Sequence, residues 1–309
     1  MRFKRLGSGK KFMAVARTGP KTLAITNQKG GVGKTASAVN IAAALSQLGY
    51  KTLLVDGDYQ GNSTDYLGLK AQAVLNKITL FDGIRLNKPI EECILSTKYP
   101  NLYVIGASQY MSQWDKQGYK HHKIKTWFES KAVEDFRYII FDIRPQFGNL
   151  FENFMAYVDW YLIPLFADPD SVTGLKIELD ELKEVQDAYN KELKCAGLVI
   201  TKYKKRNSTH EEFHGVIDSI SKNLALPLLG IIPDSDAVTG SVNKHTPFAY
   251  YPENMHLPIR DAYMALAKKL VTTLVFKKGR IPVIPSIPEQ FADDVLSKFS
   301  HQNLELTFE

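Results

Sequence analysis

Cysteine is nearly absent from this sequence: Cys93 and Cys195 are the only two in 309 residues, far apart and without His or Cys neighbours at ligand spacing. That excludes a disulfide framework, a zinc site and a cysteine-ligated cluster, and it suits a reducing cytoplasm. Long apolar runs are missing too. None approaches the roughly 18 to 20 residues that a bilayer-crossing helix requires, so no integral membrane association is expected. The N-terminus is charged but lacks the apolar stretch of a secretory signal. Acidic residues are absent from the first 21 positions, where Arg2, Lys4, Arg5, Lys10, Lys11, Arg17 and Lys21 supply seven positive side chains.

What is present is the composition of an ordinary soluble globular protein, 44% hydrophobic and 23% charged. The length buries a full core as one or two domains. Of the formal net charge of +6, the first 21 residues account for all and more, so the rest of the chain is nearly neutral. The basic character therefore belongs to an arm over residues 1–20. Such an arm attracts nucleic acid or anionic lipid, or stands as a solvated tail.

From residue 21 onward, short apolar runs alternate with longer helix-like stretches. Strands are predicted over 22–26, 52–56, 102–105, 138–142, 160–165, 196–201 and 228–232. Several are continuous β-branched or aromatic runs, the pattern of strands covered on both faces. Helices are predicted over 35–48, 171–190, 209–223 and 258–274. Repeated strand–helix–strand order predicts an α/β fold with one doubly wound, mostly parallel sheet and helices on both faces. This body is expected over 21–275. After it, Pro282, Pro285 and Pro288 recur at every third position, which favours an extended polyproline-II linker within 276–309. A short helix over 289–300 would carry Phe291, Val295 and Phe299 on one side and dock on the body or on a partner. Glu289, Asp293 and Asp294 oppose anionic lipid there.

The strongest signal is Lys29-Gly30-Gly31-Val32-Gly33-Lys34-Thr35, directly after the first strand and opening the first long helix. Glycines let the chain turn tightly and bring successive N–H groups onto phosphate oxygens. The helix start adds free N–H groups and the positive end of its dipole. Gly30, Gly31, Val32, Gly33, Lys34, Thr35 and Ala36 are the expected nucleotide contacts, with Lys34 bridging β- and γ-phosphates and the Thr35 hydroxyl on Mg2+. The ordinary phosphate-loop pattern wants a glycine where Gln28 stands. A second lysine, Lys29, heads the turn instead. With Lys34 occupying the γ-phosphate side, Lys29 is better placed to reach the nucleotide of a facing subunit.

Lys29–Thr35 resembles the deviant Walker A signature of ParA/MinD-type ATPases, and the resemblance extends over about residues 21–274. It implies that Lys29 acts in trans, contacting phosphate across a nucleotide-sandwich homodimer formed on ATP binding. Asp56-Gly57-Asp58-Tyr59-Gln60-Gly61-Asn62 is similar to the family's second motif, Asp-x-Asp-Pro-Gln-Gly-Asn. The likeness implies that Asp58 orients or polarises the attacking water, with Asp56 nearer the metal. Tyr59 replaces the usual proline, which loosens the loop. Tyr138-Ile-Ile-Phe-Asp142 reads as Walker B, a buried strand delivering one Asp to Mg2+. There Arg144 replaces the first of two prolines found in relatives, which bears on the hydrolysis rate.

These parts suit in-line attack of water on a γ-phosphate. At Ile200-Thr201-Lys202-Tyr203-Lys204, position 204 lacks the carboxylate by which related GTPases read guanine, so ATP is the expected nucleotide. Gly230-Ile-Ile-Pro233-Asp234-Ser235-Asp236 resembles the family's adenine-side loop, with Pro233 and Asp234 as contacts. The Thr246-Pro-Phe stretch belongs to the same resemblance. About twenty residues precede the phosphate loop, so no helix-turn-helix domain is expected there, as in the shorter partition ATPases.

The expected function is ATP-driven partition of plasmid or chromosome DNA. The ATP dimer would bind DNA without reading sequence, through Lys202, Lys204, Lys205 and Arg206 and more weakly Lys268 and Lys269. A DNA-bound ParB-like protein would stimulate slow hydrolysis, in a cytoplasmic protein that joins the nucleoid when ATP-bound. Each lysine is equally read as a solvated charge. Two other readings stay open: a MinD-like positioning ATPase on a membrane surface, which the acidic tail opposes, and an ATP-bound scaffold that barely hydrolyses, which Arg144 and Tyr59 suggest. Bridging cysteine ligands for a reductase relative are lacking. So is the tyrosine-rich tail of a kinase built on the same loop, since residues 277–309 contain no Tyr.

Overall fold

A computed structural model describes residues 19–255, 257–275, 283–295 and 297. The basic arm lies outside the described residues save for its last two positions, as do residues 276–282 and Phe299. The strands are β1 (Lys21–Ile25), β2 (Thr52–Gly57), β3 (Leu95–Ser96), β4 (Leu102–Ile105), β5 (Tyr138–Ile143), β6 (Trp160–Phe166), β7 (Lys194–Tyr203) and β8 (Leu228–Pro233). They form one sheet in the order β3-β4-β2-β5-β1-β6-β7-β8. Every pairing is parallel except that of β3 with β4.

The reason for continuous apolar runs is visible in β5. Ile139 and Phe141 enter the hydrophobic layer on one face of the sheet, while Tyr138 and Ile140 enter the layer on the other. A strand sandwiched between helices has no solvent face to alternate toward. The long helices are Lys34–Gln47, Asp170–Ala188, Ser208–Leu224 and Pro258–Thr273, close to the expected spans. Helices Lys34–Gln47 and Pro258–Thr273 build one layer through Ala38, Ile41, Leu45, Leu266 and Leu270. Helices Asp170–Ala188 and Ser208–Leu224 build the other through Leu175, Leu179, Phe213 and Ile217.

Between β2 and β5 the chain makes several short helices, among them Asn62–Tyr66, Lys70–Leu75, Leu80–Arg85 and Lys123–Phe128. Segments of five or six residues are too short to display a helical period in sequence. Of the tail, residues 283–288 have no regular secondary structure and 289–295 are helical. Ile284, Ile287, Ala292 and Val295 are buried in the layer that holds helix Asp170–Ala188, with Phe291 packed against it. This segment is thus seated on the body.

Because β1 sits between β5 and β6, with β2 beyond β5, the carboxyl ends of β1, β2 and β5 open side by side. That is where open α/β sheets carry their ligand sites.

Candidate functional site: a phosphate loop framed by buried carboxylates

The loop from β1 to helix Lys34–Gln47 owes its shape to glycine. Gly31 and Gly33 hold φ of 74° and 82°, in the left-handed region that side chains with a Cβ avoid. Gly33 caps the helix, and its carbonyl accepts from Ser37 N at 2.8 Å. The first helical N–H groups have no side-chain cap, so they remain donors for an anion. The Thr201 hydroxyl, at the end of β7, donates to the Val32 carbonyl at 2.8 Å and pins the middle of the loop.

The two lysines of the loop have different lodgings. Lys34 is buried, and its Nζ donates to the Lys29 carbonyl at 2.9 Å, curling under the turn. Burial lowers its pKa, opposed by the nearby carboxylates of Asp142, Glu178 and Asp58. Lys29 points the other way, its Nζ 2.5 Å from Asp168 Oδ2. Asp168 uses its second oxygen, Oδ1, to accept from Ser171 N and Ser171 Oγ, both at 2.9 Å. It therefore joins the loop to the first turn of helix Asp170–Ala188.

Two carboxylates meet behind the loop. Asp56 on β2 and Asp142 on β5 are register partners, and Asp142 also stands opposite Ile25 of β1. Asp142 accepts from Ser63 Oγ at 2.8 Å. Asp56 turns into the following loop, where its Oδ2 accepts from Thr64 N at 2.8 Å and Thr64 Oγ1 at 2.6 Å. Its Oδ1 accepts from Asp58 N at 3.2 Å. Burial raises the pKa of both carboxyls, and for Asp56 the neighbouring Asp142 adds to the rise. Asp58 is half-buried, with Oδ1 accepting from Gln60 N at 2.9 Å.

Among the described residues no group of three His, Cys, Asp or Glu side chains is gathered for a metal. The expected set is instead the Thr35 hydroxyl with Asp56 and Asp142. Its hard oxygens, two of them on carboxylates that burial lifts in pKa, fit Mg2+, which takes few protein ligands and completes its shell with phosphate and water. Arg144, just beyond Asp142, is buried.

The remaining candidates lie apart from this cluster. Pro233 and Asp234 follow β8, where Asp234 N donates to the Tyr203 carbonyl at 2.9 Å and Asp234 Oδ2 lies 3.4 Å from Lys204 Nζ. Lys202 Nζ stands 6.0 Å from the Phe166 ring centroid, while Lys205 and Arg206 are exposed. Lys269 donates to the Leu229 carbonyl at 2.8 Å; Lys268 is exposed.

One site residue was missed in the sequence. Glu178, on helix Asp170–Ala188, is fully buried against the loop. Its carboxylate accepts from Thr26 Oγ1 at 2.6 Å and from Gln28 N at 2.9 Å, fixing the exit of β1. Burial pushes its pKa up to about 7.

The family model described as AAA domain matches residues 20–195. The chromosome partitioning protein ParA of Caulobacter vibrioides is 31% identical over 197 residues, 62% of this chain and 73% of that one. In fold the chain is similar to cobyrinic acid a,c-diamide synthase from Mycobacterium smegmatis, crystallised with ADP and magnesium: TM-score 0.69 and 23% identity, covering 87% of this chain and all of that one. It is also similar to a plasmid partition protein from Borrelia burgdorferi, with TM-score 0.63 and 23% identity over 82% of this chain and 99% of the other. No described helix is long and apolar enough to cross a membrane.

Proposed function

The chain belongs to the ParA/MinD-type P-loop ATPases, and from that premise we propose that it is an ATP-driven dimerising switch for DNA partition. The observation that carries this reading is the division of labour in the phosphate loop. Lys34 is committed inward beneath the turn, whereas Lys29 reaches outward to a carboxylate it can leave. One lysine serves the subunit's own nucleotide, and the other serves the nucleotide of the second subunit.

In the proposed cycle, ATP seats its phosphates on the loop amides of residues 30–36. Lys34 leaves the Lys29 carbonyl for the β- and γ-phosphates. Thr35 and Asp142 would hold Mg2+, with Asp56 fixing the loop beside them. When bound with the nucleotide, the ion neutralises charge developing on the phosphoryl oxygens. Asp58 orients the attacking water, and its half-buried position at the mouth of the site supports that role. Pro233 and Asp234 border the base. Exchange of Asp168 for a phosphate of the facing subunit moves Lys29 across the dimer.

Dimerisation doubles a basic face that includes Lys205 and Arg206, with Lys202 and Lys204 beside them, and such a face grips duplex DNA through its phosphates. A DNA-bound ParB-like protein stimulates otherwise slow hydrolysis and resets the switch. The test is binding to random-sequence duplex with ATP, ADP or no nucleotide across a salt series. ATP-selective binding that weakens steeply with salt is expected. Equal binding in all three states would refute the switch.

A further inference from the structure

Helix Asn62–Tyr66 follows the Asp58 loop, and its side chains are tied to the rest of the site. Ser63 donates to Asp142 and Thr64 to Asp56. Tyr66, whose ring is buried, reaches further. Asn40 of helix Lys34–Gln47 donates from Nδ2 to the Tyr66 hydroxyl at 3.3 Å, and that hydroxyl is hydrogen-bonded to Ser241 Oγ. Ser241 Oγ donates to the Thr246 carbonyl at 2.6 Å. Since the single Ser241 proton is spent on Thr246, the Tyr66 O–H is the donor to Ser241. The direction of the whole chain is thereby fixed, from Asn40 through Tyr66 and Ser241 to Thr246. Bonds aligned in one sense in a dry interior strengthen one another.

The far end of this chain explains the Thr246-Pro-Phe stretch. Pro247 starts a short turn, Phe248 is buried, and Phe248 N donates to Asn40 Oδ1 at 2.8 Å. The same asparagine thus holds both ends of the relay. Ser241 lies on helix Ala237–Asn243, which begins right after the Pro233–Asp236 loop.

We infer that Tyr66 is a positioning residue that couples the base-side loop to Asp58. The inference rests on the proposed reading in which residues 233–236 border the adenine and Asp58 orients water. A base held by that loop stiffens helix Ala237–Asn243. The Tyr66–Ser241 bond passes that restraint to helix Asn62–Tyr66, and so to the turn carrying Asp58. A polyphosphate without a base fills the phosphate loop but leaves the relay idle.

The experiment compares hydrolysis of ATP with that of inorganic triphosphate by the full-length wild type, Tyr66→Phe and Ser241→Ala. The wild type is expected to turn over ATP faster than triphosphate. Tyr66→Phe removes one hydroxyl without changing the ring. It should lower kcat for ATP roughly fivefold, the rate equivalent of one buried hydrogen bond, with KM for ATP and triphosphate turnover unchanged. Ser241→Ala should do the same, and the double variant should add nothing. A merely structural role would lower both activities together with the melting temperature, and that result overturns the inference. An unchanged ATP-to-triphosphate ratio in folded Tyr66→Phe overturns it too, while leaving the ATPase reading intact. Equal turnover of ATP and triphosphate by the wild type would instead remove the base-side assignment on which the coupling rests.

Discussion

Lys29 and Asp168 form an ion pair that joins the turn of the phosphate loop to the first turn of helix Asp170–Ala188. Both side chains are mostly shielded from solvent, so the pair is less screened than a surface contact. In the proposed switch this pair keeps Lys29 at home until the phosphate of a second subunit replaces Asp168.

Asp168→Asn should therefore favour the ATP dimer. Asparagine keeps Oδ1 to accept from Ser171, so the helix start survives, but it no longer holds the ammonium by charge. Dimer formation, followed by sedimentation, is expected at lower ATP concentration than in the wild type. A variant that needs as much ATP as the wild type would show that the pair does not restrain Lys29.

Glu178 makes stability depend on pH in a sense opposite to most carboxylates. Its folded pKa of about 7 lies above the value of 4.5 for the unfolded chain, so the folded state binds the proton more tightly. The associated stability is fully present below about 4.5 and is lost as pH rises through 7, amounting to at most about 3 kcal/mol. Glu178→Gln should flatten this slope, because the amide imitates the protonated acid. Denaturant unfolding at the two ends of that window measures the difference.

Glu178 also shows where sequence reading stops. Leu175, Leu179 and Leu182 mark the apolar stripe of its helix, and Glu178 falls on that stripe, three residues after Leu175. An acid at such a position signals a buried partner, but the partner, the loop after β1, comes from a strand some 150 residues away. The doubly wound sheet was legible because each central strand is apolar on both faces, and the phosphate loop because its glycines and lysines are contiguous. Tyr66 and Ser241 were invisible for the converse reason: each is unremarkable alone, and only the fold brings them together. β3, with two residues, has no period to read.

The tail offers a check on packing. Ile284 and Ile287 are buried on the layer with helix Asp170–Ala188. Truncating a well-packed isoleucine costs about 2 to 5 kcal/mol. Ile287→Ala should destabilise the whole protein on that scale in a single unfolding transition. A loss below about 0.5 kcal/mol, as for surface positions, would mean that the segment contributes little to the body.

The two halves of the proposed switch separate under two substitutions. Lys29→Ala removes an ammonium that does not line its own subunit's inner phosphate pocket, where Lys34 sits. Monomer affinity for ATP should stay near that of the wild type while the dimer fails to form. Asp58→Ala leaves both lysines, Asp142 and Thr35 in place but takes away the group assigned to the water. ATP should then bind and dimerise without turnover, so a long-lived dimer accumulates with ATP and is absent with ADP. The outcomes are opposite because one residue acts between subunits and the other on the reacting centre. Normal hydrolysis by Asp58→Ala would leave the water without its assigned partner, and a stable ATP dimer of Lys29→Ala would end the case for a lysine acting in trans.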